Sequence, residues 1–227
     1  AKRCGVDPAQ LEVRDTPKGE CVFASVRTEG KNSAELLQEL IPGWINGLQG
    51  RRFMRWGTGS QRFSRPIRWL LALKGTDLIP VEIPGADPPV RSDRFSRGHR
   101  LHGDQPLPID SPEAYDDALA AAGVIVDRQH RAELIRSQLK AAANQLNGAP
   151  DCPETLFEEL VDLVESPRLL RGTIAERFLS LPPEVIITVM QAHQRYVPLK
   201  VPDVTPDPLQ LVATGVLQRD FLLVGNG

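Results

Sequence analysis

Apolar residues recur at helical spacing across residues 33–48, through Leu36, Leu37, Leu40, Ile41, Ile45 and Leu48, and predict a helix that Pro42 kinks or divides. Upstream, Glu20–Arg27 is a β-rich run. Downstream, Ile67–Leu73 and Leu78–Ile83 are apolar runs separated by Lys74-Gly75-Thr76-Asp77, the pattern of a β-hairpin with a four-residue connection, and the Pro-rich loop Pro84–Val90 ends it. From Ser111 the period becomes helical. Ser111-Pro112-Glu113 offers an N-cap, a first-turn proline and a first-turn acid, and Gly123 a stop. Asp127 can cap a second helix with Leu134, Ile135, Leu139, Ala142, Ala143 and Leu146 on one face, closed by Gly148. Pro153 opens a third, carrying Leu156, Phe157, Leu160, Val161 and Val164, which Ser166-Pro167 ends. Pro182-Pro183-Glu184 starts a helix through Val185, Ile186, Val189 and Met190, followed by extended Tyr196–Val201 and Leu209–Val216.

Strands and helices neither alternate strictly nor segregate, which predicts an α+β fold, an antiparallel sheet with packed helices, rather than a doubly wound one. Residues 1–227 read as a single α+β domain, within which 111–166 could form a helical sub-region. Val201–Pro208 is linker-like and serves equally as a hairpin loop or a boundary.

The chain has 41% hydrophobic and 25% charged residues, ordinary for a globular protein, and no apolar run approaches the ~18–20 residues that span a bilayer. No secretory signal is visible, and the lack of a starting Met is expected of a piece of a longer protein. Cys4, Cys21 and Cys152 are odd in number and widely spaced, so neither a disulfide framework nor a zinc site is expected and a reducing cytoplasm is the natural compartment. The 20 prolines predict short elements with sharp ends.

A net charge of −2 does not announce a nucleic-acid binder, but the distribution of charge changes that picture. Residues 51–74 hold Arg51, Arg52, Arg55, Arg62, Arg65, Arg68 and Lys74 without a single acid, interleaved with Phe53, Trp56, Phe63 and Trp69. Guanidinium forks suit phosphate oxygens and aromatic rings suit bases. The competing account puts the aromatics in the core and pairs the arginines with acids brought in by the fold. Gly57-Thr58-Gly59-Ser60 lacks the downstream Gly-Lys-Ser/Thr of a phosphate loop and reads as a turn.

A second basic cluster, Ser96–Gly103, contains Arg97, His99, Arg100 and His102; the histidine spacing resembles a metal pair, but flanking arginines repel a cation and the nearest acid is Asp104. Neither His99 nor His193 is expected to bind zinc or act as a general base. The helix from Pro182 ends in His193, Gln194, Arg195 and Tyr196, a set of hydrogen-bonding groups that serves either a ligand or the helix end itself.

Met54-Arg55-Trp56-Gly57, Phe63-Ser64-Arg65-Pro66-Ile67-Arg68-Trp69, Gly98-His99-Arg100, Leu181-Pro182-Pro183-Glu184-Val185, His193-Gln194-Arg195-Tyr196 and Gly225-Asn226-Gly227 follow one another in the order and spacing of the β subunit of bacterial two-subunit glycyl-tRNA synthetase. The resemblance covers nearly the whole chain. Departures lie near turns: Tyr196-Val197 stands where the family tends to have Tyr-Phe, and Val201–Pro208 with Val216–Asp220 is longer than usual. The resemblance implies a fragment of a longer β subunit, with an architecture like the B3/4-type domain of phenylalanyl-tRNA synthetase β subunits. It implies two partners, the α subunit and tRNA(Gly), in an α2β2 holoenzyme with no membrane association. ATP and Mg2+ would be used mainly at the α subunit, leaving this fragment without cofactor, metal ligand or catalytic residue. Three roles follow: a tRNA-binding module, an assembly scaffold, or an editing deacylase, the last weakened because glycine's small size lets the synthetic site reject larger amino acids sterically. The nucleic-acid-binding candidates are Arg51, Arg52, Arg55, Arg62, Arg65, Arg68, Arg97, His99, Arg100, Gln194 and Arg195.

Overall fold

The computed structural model describes residues 5–26, 29–103, 105–202, 211 and 214–227. Its larger core is built on a four-stranded antiparallel sheet in the order Ala149–Pro150, Tyr196–Val201, Val216–Asn226, Pro167–Thr173. Side chains alternate across it, as the pleat requires. Val197, Leu199, Leu222 and Val224 face one layer; Tyr196, Leu217 and Phe221 face the other. The first layer consists of α3 (Arg128–Gln145), preceded in the chain by α1 (Ser33–Gly47) and α2 (Tyr115–Ala121), and of α4 (Glu154–Leu163). Ile135, Leu139, Leu160, Val161 and Phe157 fill the space between helices and sheet. On the opposite face lies α5 (Pro183–Thr188), which continues into a π-helical turn over Val189–Gln194 and brings Ile186 and Met190 against Ile174. An α+β fold with an antiparallel sheet and packed helices is what the strand and helix patterns predict.

The helix ends have clear causes. Asp127 Oδ1 accepts the His130 amide at 2.8 Å at the start of α3, and that bond holds its carboxyl below the usual aspartate range. The end of α3 is a Schellman turn: Asn147, at φ 51°, is the left-handed residue, and the Gly148 amide reaches the Ala143 carbonyl at 2.9 Å. The stop is therefore made one residue earlier than the glycine suggests. Arg131 ties α3 to its neighbours by donating to the Val161 and Ile125 carbonyls at 2.9 and 2.7 Å.

Three expectations are corrected. Pro42 does not divide its helix: α1 runs through it, because Ala34, Leu37 and Ile41 pack against Ala72, Ile79 and Val81 and offset the lost backbone bond. The hairpin after residue 67 turns on two residues, since Lys74 pairs with Asp77 and Gly75 takes φ +56°, while Leu70–Leu71 instead pairs in parallel with Ser92–Asp93. Ser111 is the N-cap of a 3-10 turn rather than of α2: its carbonyl accepts the Ala114 amide at 3.2 Å, its hydroxyl bonds the Glu113 carboxylate instead of a backbone amide, and α2 begins only at Tyr115. Half of Leu209–Val216 lies outside the described residues, and the last strand starts at Val216.

Cys152 is buried between α4 and the sheet, and desolvation pushes its thiol up to about 12, whereas Cys21 is exposed. A raised thiol pKa favours the folded state below the unfolded value and loses that contribution as pH climbs through the folded one. Thiol labelling of the native protein at pH 8 is therefore expected to modify Cys21 and leave Cys152 untouched until denaturant is added; mass spectrometry of the labelled peptides reads both.

Candidate nucleic-acid interface

Residues 51–68 form an open surface rather than a core strand. Met54–Arg55 pairs with Arg62–Phe63 as a two-stranded antiparallel ladder, and the turn between them contains Gly57 and Gly59. A Cβ on Gly57 would stand 2.2 Å from the Asp87 carbonyl oxygen and one on Gly59 2.3 Å from that of Gly85, so the two glycines let this turn lie flat on the loop 84–88. The Ser60 and Gln61 amides both donate to the Gly85 carbonyl, at 2.8 and 3.1 Å, and Thr58 bonds Asp87. The glycine-containing segment is thus a docked turn, in keeping with the missing lysine of a phosphate loop.

On this platform Arg51, Arg52, Arg55, Arg62, Arg65 and Arg68 are all exposed, and none makes an ion pair among the described residues. Arg55 and Arg62 are Cα partners in the ladder. Directly opposed residues of an antiparallel pair project from the same face, where like charges repel. Phe53 and Phe63 pack at 4.9 Å between ring centroids, Trp56 is half-buried and Trp69 is 45% exposed. Beside the ladder is a polar cavity of about 640 Å³. Asn46, Gln49, Arg51, Phe53, Gln61 and Arg62 line it.

The remaining candidates sit elsewhere. His99 is only 3% exposed: its Nδ1 accepts the Leu101 amide at 3.3 Å, its own amide donates to Ala122 at 2.8 Å, and its ring meets His102 edge-on. Its place is inside the seam between the strand Phe95–Arg97 and the end of α2, where it forms part of the wall of a hollow. Arg97 is half-buried and engaged, and Arg100 is exposed beside a hollow that also contains Asp162 and Glu165. Arg195, at φ 58°, has its Nε 2.7 Å from Glu159 and donates to the Ala192 carbonyl, so it closes the π-turn. Gln194 is exposed at the rim of an apolar hollow of about 440 Å³ that Phe178, Leu181, Val185, Val189 and Tyr196 help to line. No group of three or more His, Cys, Asp or Glu among the described residues is placed to hold a metal ion, and no described helix is long and apolar enough to cross a membrane.

Asn46, Gln49 and Gln61 escaped sequence reading because isolated carboxamides carry no motif; only the fold of α1 against the ladder brings them together.

The fold is an α+β domain with six exposed arginines that make no ion pair among the described residues, beside a polar cavity. A sequence profile of the family "Glycyl-tRNA synthetase beta subunit" matches residues 1–227, and the chain belongs to that family. It is 45% identical over 226 residues to the glycine–tRNA ligase beta subunit of Gloeothece citriformis, covering all of this chain and 31% of that protein. Likeness to the beta subunit of Shouchella clausii is 41% over 227 residues, again all of this chain and 30% of the relative, and to that of Coxiella burnetii 34% over 229 residues, all of this chain and 32% of the relative. The chain thus spans about a third of the length of the curated relatives it matches.

Proposed function

We propose that this chain gives the glycyl-tRNA synthetase β subunit a tRNA-binding surface and part of its α/β assembly surface, in the service of ATP-dependent attachment of glycine to tRNA(Gly) in the cytoplasm. The observation that carries the tRNA reading is the opposed pair Arg55 and Arg62, exposed and without an acidic partner among the described residues, in a run of six such arginines. A fold that holds like charges face to face sacrifices stability, and a polyanion is the ligand that repays it. Arg51, Arg52, Arg65 and Arg68 extend the same field, and Arg100 can add to its edge. His99, Arg97 and Arg195 have structural settings and Gln194 lies at the rim of a different, apolar hollow, so all four are left out of the contact set. ATP and Mg2+ act at the α subunit on this reading, in an α2β2 holoenzyme. The B3/4-type likeness belongs to the same reading, supported by the antiparallel sheet with helices packed on it, and brings no editing chemistry with it.

Changing Arg62 to Ala in the holoenzyme should weaken tRNA(Gly) binding severalfold and make the log–log salt dependence shallower by about 0.7–0.9, the counterion release of one phosphate contact. Unaltered affinity and slope in a well-folded protein would remove the surface from the binding site.

Assembly has its own supporting observation. Phe178, Leu181, Val185 and Val189 are each 44–47% exposed around one apolar hollow, an exposure that a partner's apolar side chains would relieve. The α subunit is the occupant on this reading. Val185→Asp should abolish co-purification of the two subunits while the β subunit keeps its melting temperature; retention of the α subunit by the variant would exclude this face.

A further inference from the structure

The polar cavity beside the arginine ladder is built for more than phosphate. Among its lining residues, Asn46, Gln49 and Gln61 bring carboxamides, Arg51 and Arg62 bring guanidinium groups, Phe53 brings an aromatic ring, and none is an acid. A carboxylate or phosphate ligand requires donors alone, whereas carboxamides present a donor and an acceptor side by side, the complement of a nucleobase edge. Gln61 is 6% exposed, and among the described residues its Nε2 reaches only the Arg62 carbonyl at 3.5 Å, the outer limit of a hydrogen bond, which leaves the amide with bonding capacity toward the cavity. The cavity wall is set before any ligand arrives, because the Ser60 and Gln61 amides are fixed to the Gly85 carbonyl. At about 640 Å³ the space lies in the range of small-molecule sites, and the exposed Arg51 and Arg62 form part of its lining.

We infer that this cavity takes one unpaired nucleotide of the bound RNA, its base among Asn46, Gln49, Gln61 and Phe53 and its flanking phosphates at Arg51 and Arg62. The inference rests on the tRNA reading above and adds base selection to it. Phosphate contacts fix register without reading sequence; a base held by carboxamides and stacked on a ring supplies the selection.

The test uses the holoenzyme with a tRNA(Gly) transcript, comparing Gln49→Ala, Phe53→Leu and, outside the cavity, Arg55→Ala. Gln49 is exposed and its loss leaves the fold intact; leucine keeps an apolar group against Phe63. Both cavity variants should bind tRNA about tenfold more weakly, in line with the loss of one base contact. Their salt slopes should match the wild type, since no phosphate contact is lost, and base-edge probing with dimethyl sulfate and carbodiimide should show one unpaired nucleotide losing its protection. If Arg55→Ala weakens binding and flattens the slope while both cavity variants bind and protect as the wild type does, the cavity does not take a base and the arginine surface stands alone. If Arg55→Ala has no effect either, the tRNA reading falls and the inference with it. Loss of α-subunit retention in the cavity variants, with tRNA binding unchanged, would assign the cavity to a protein partner and overturn the inference.

Discussion

Lys200→Met is expected to destabilise the fold by about 3–5 kcal/mol, the cost of leaving one member of a buried ion pair without its partner. Lys200 Nζ lies 2.8 Å from Asp151 Oδ2, with side chains 17% and 7% exposed. Asp151 sits just after the edge strand Ala149–Pro150, and Lys200 lies on the neighbouring strand Tyr196–Val201. Gln191 Nε2 donates to the Asp151 carbonyl at 2.8 Å and lies 3.3 Å from its carboxylate. With the ammonium gone, that one amide is a poor substitute for a full charge, and the buried carboxylate has to be desolvated against little compensation. For a domain of this size the loss corresponds to a melting temperature lower by about 10 °C. The double variant Asp151→Asn/Lys200→Met removes both charges and should recover most of the loss, because neutral partners of similar volume do not carry the desolvation cost. Melting curves of the two proteins decide it: a single variant within about 1 kcal/mol of the wild type would mean that water screens the pair. The same clasp holds the π-turn, so limited proteolysis near Val189–Gln194 should accelerate in the single variant.

The second half of the chain was legible because its determinants are local. Asp127 caps α3 through an amide three residues on, and the Leu156, Phe157, Leu160, Val161 stripe of α4 repeats at the period of the helix it forms. Where pairing is long-range, the reading thinned. Pro167–Thr173 is a seven-residue strand whose partner lies some fifty residues away, and nothing in Pro-Arg-Leu-Leu-Arg-Gly-Thr alternates strongly enough to declare it. Leu11–Thr16 pairs with Gly19–Ala24 in a hairpin whose faces are both largely exposed, which erases the apolar alternation that marks a half-buried strand. At the site, the charge of residues 51–68 was visible in sequence, but its freedom from ion pairs among the described residues was not, since any of the chain's 29 acidic residues could have folded onto it. His99 shows the converse: a basic, polar neighbourhood hides a residue that the fold buries at the end of α2.

Removing Arg55, Arg62 and Arg65 together should separate function from stability most sharply. If each contacts one phosphate, the counterion relation assigns each about 0.7–0.9 of log–log slope, so the triple alanine variant should lose two to three units of slope and about 100-fold in tRNA affinity near 0.15 M salt. Toward 1 M salt the two proteins should converge, because the lost contribution is the part that salt already screens. Stability is expected to move the other way. Arg55 faces Arg62 across the ladder with no acid among the described residues to relieve it, so Arg55→Thr, which adds a β-former and deletes the repulsion, should raise the melting temperature of the unliganded holoenzyme slightly or leave it unchanged. Core arginines paired with acids would behave oppositely and lower it. A variant that melts at or above the wild-type temperature and binds tRNA more weakly, with the shallower slope, marks a surface kept for its ligand at some expense to the fold. One that melts lower and binds equally well would return these arginines to the scaffold.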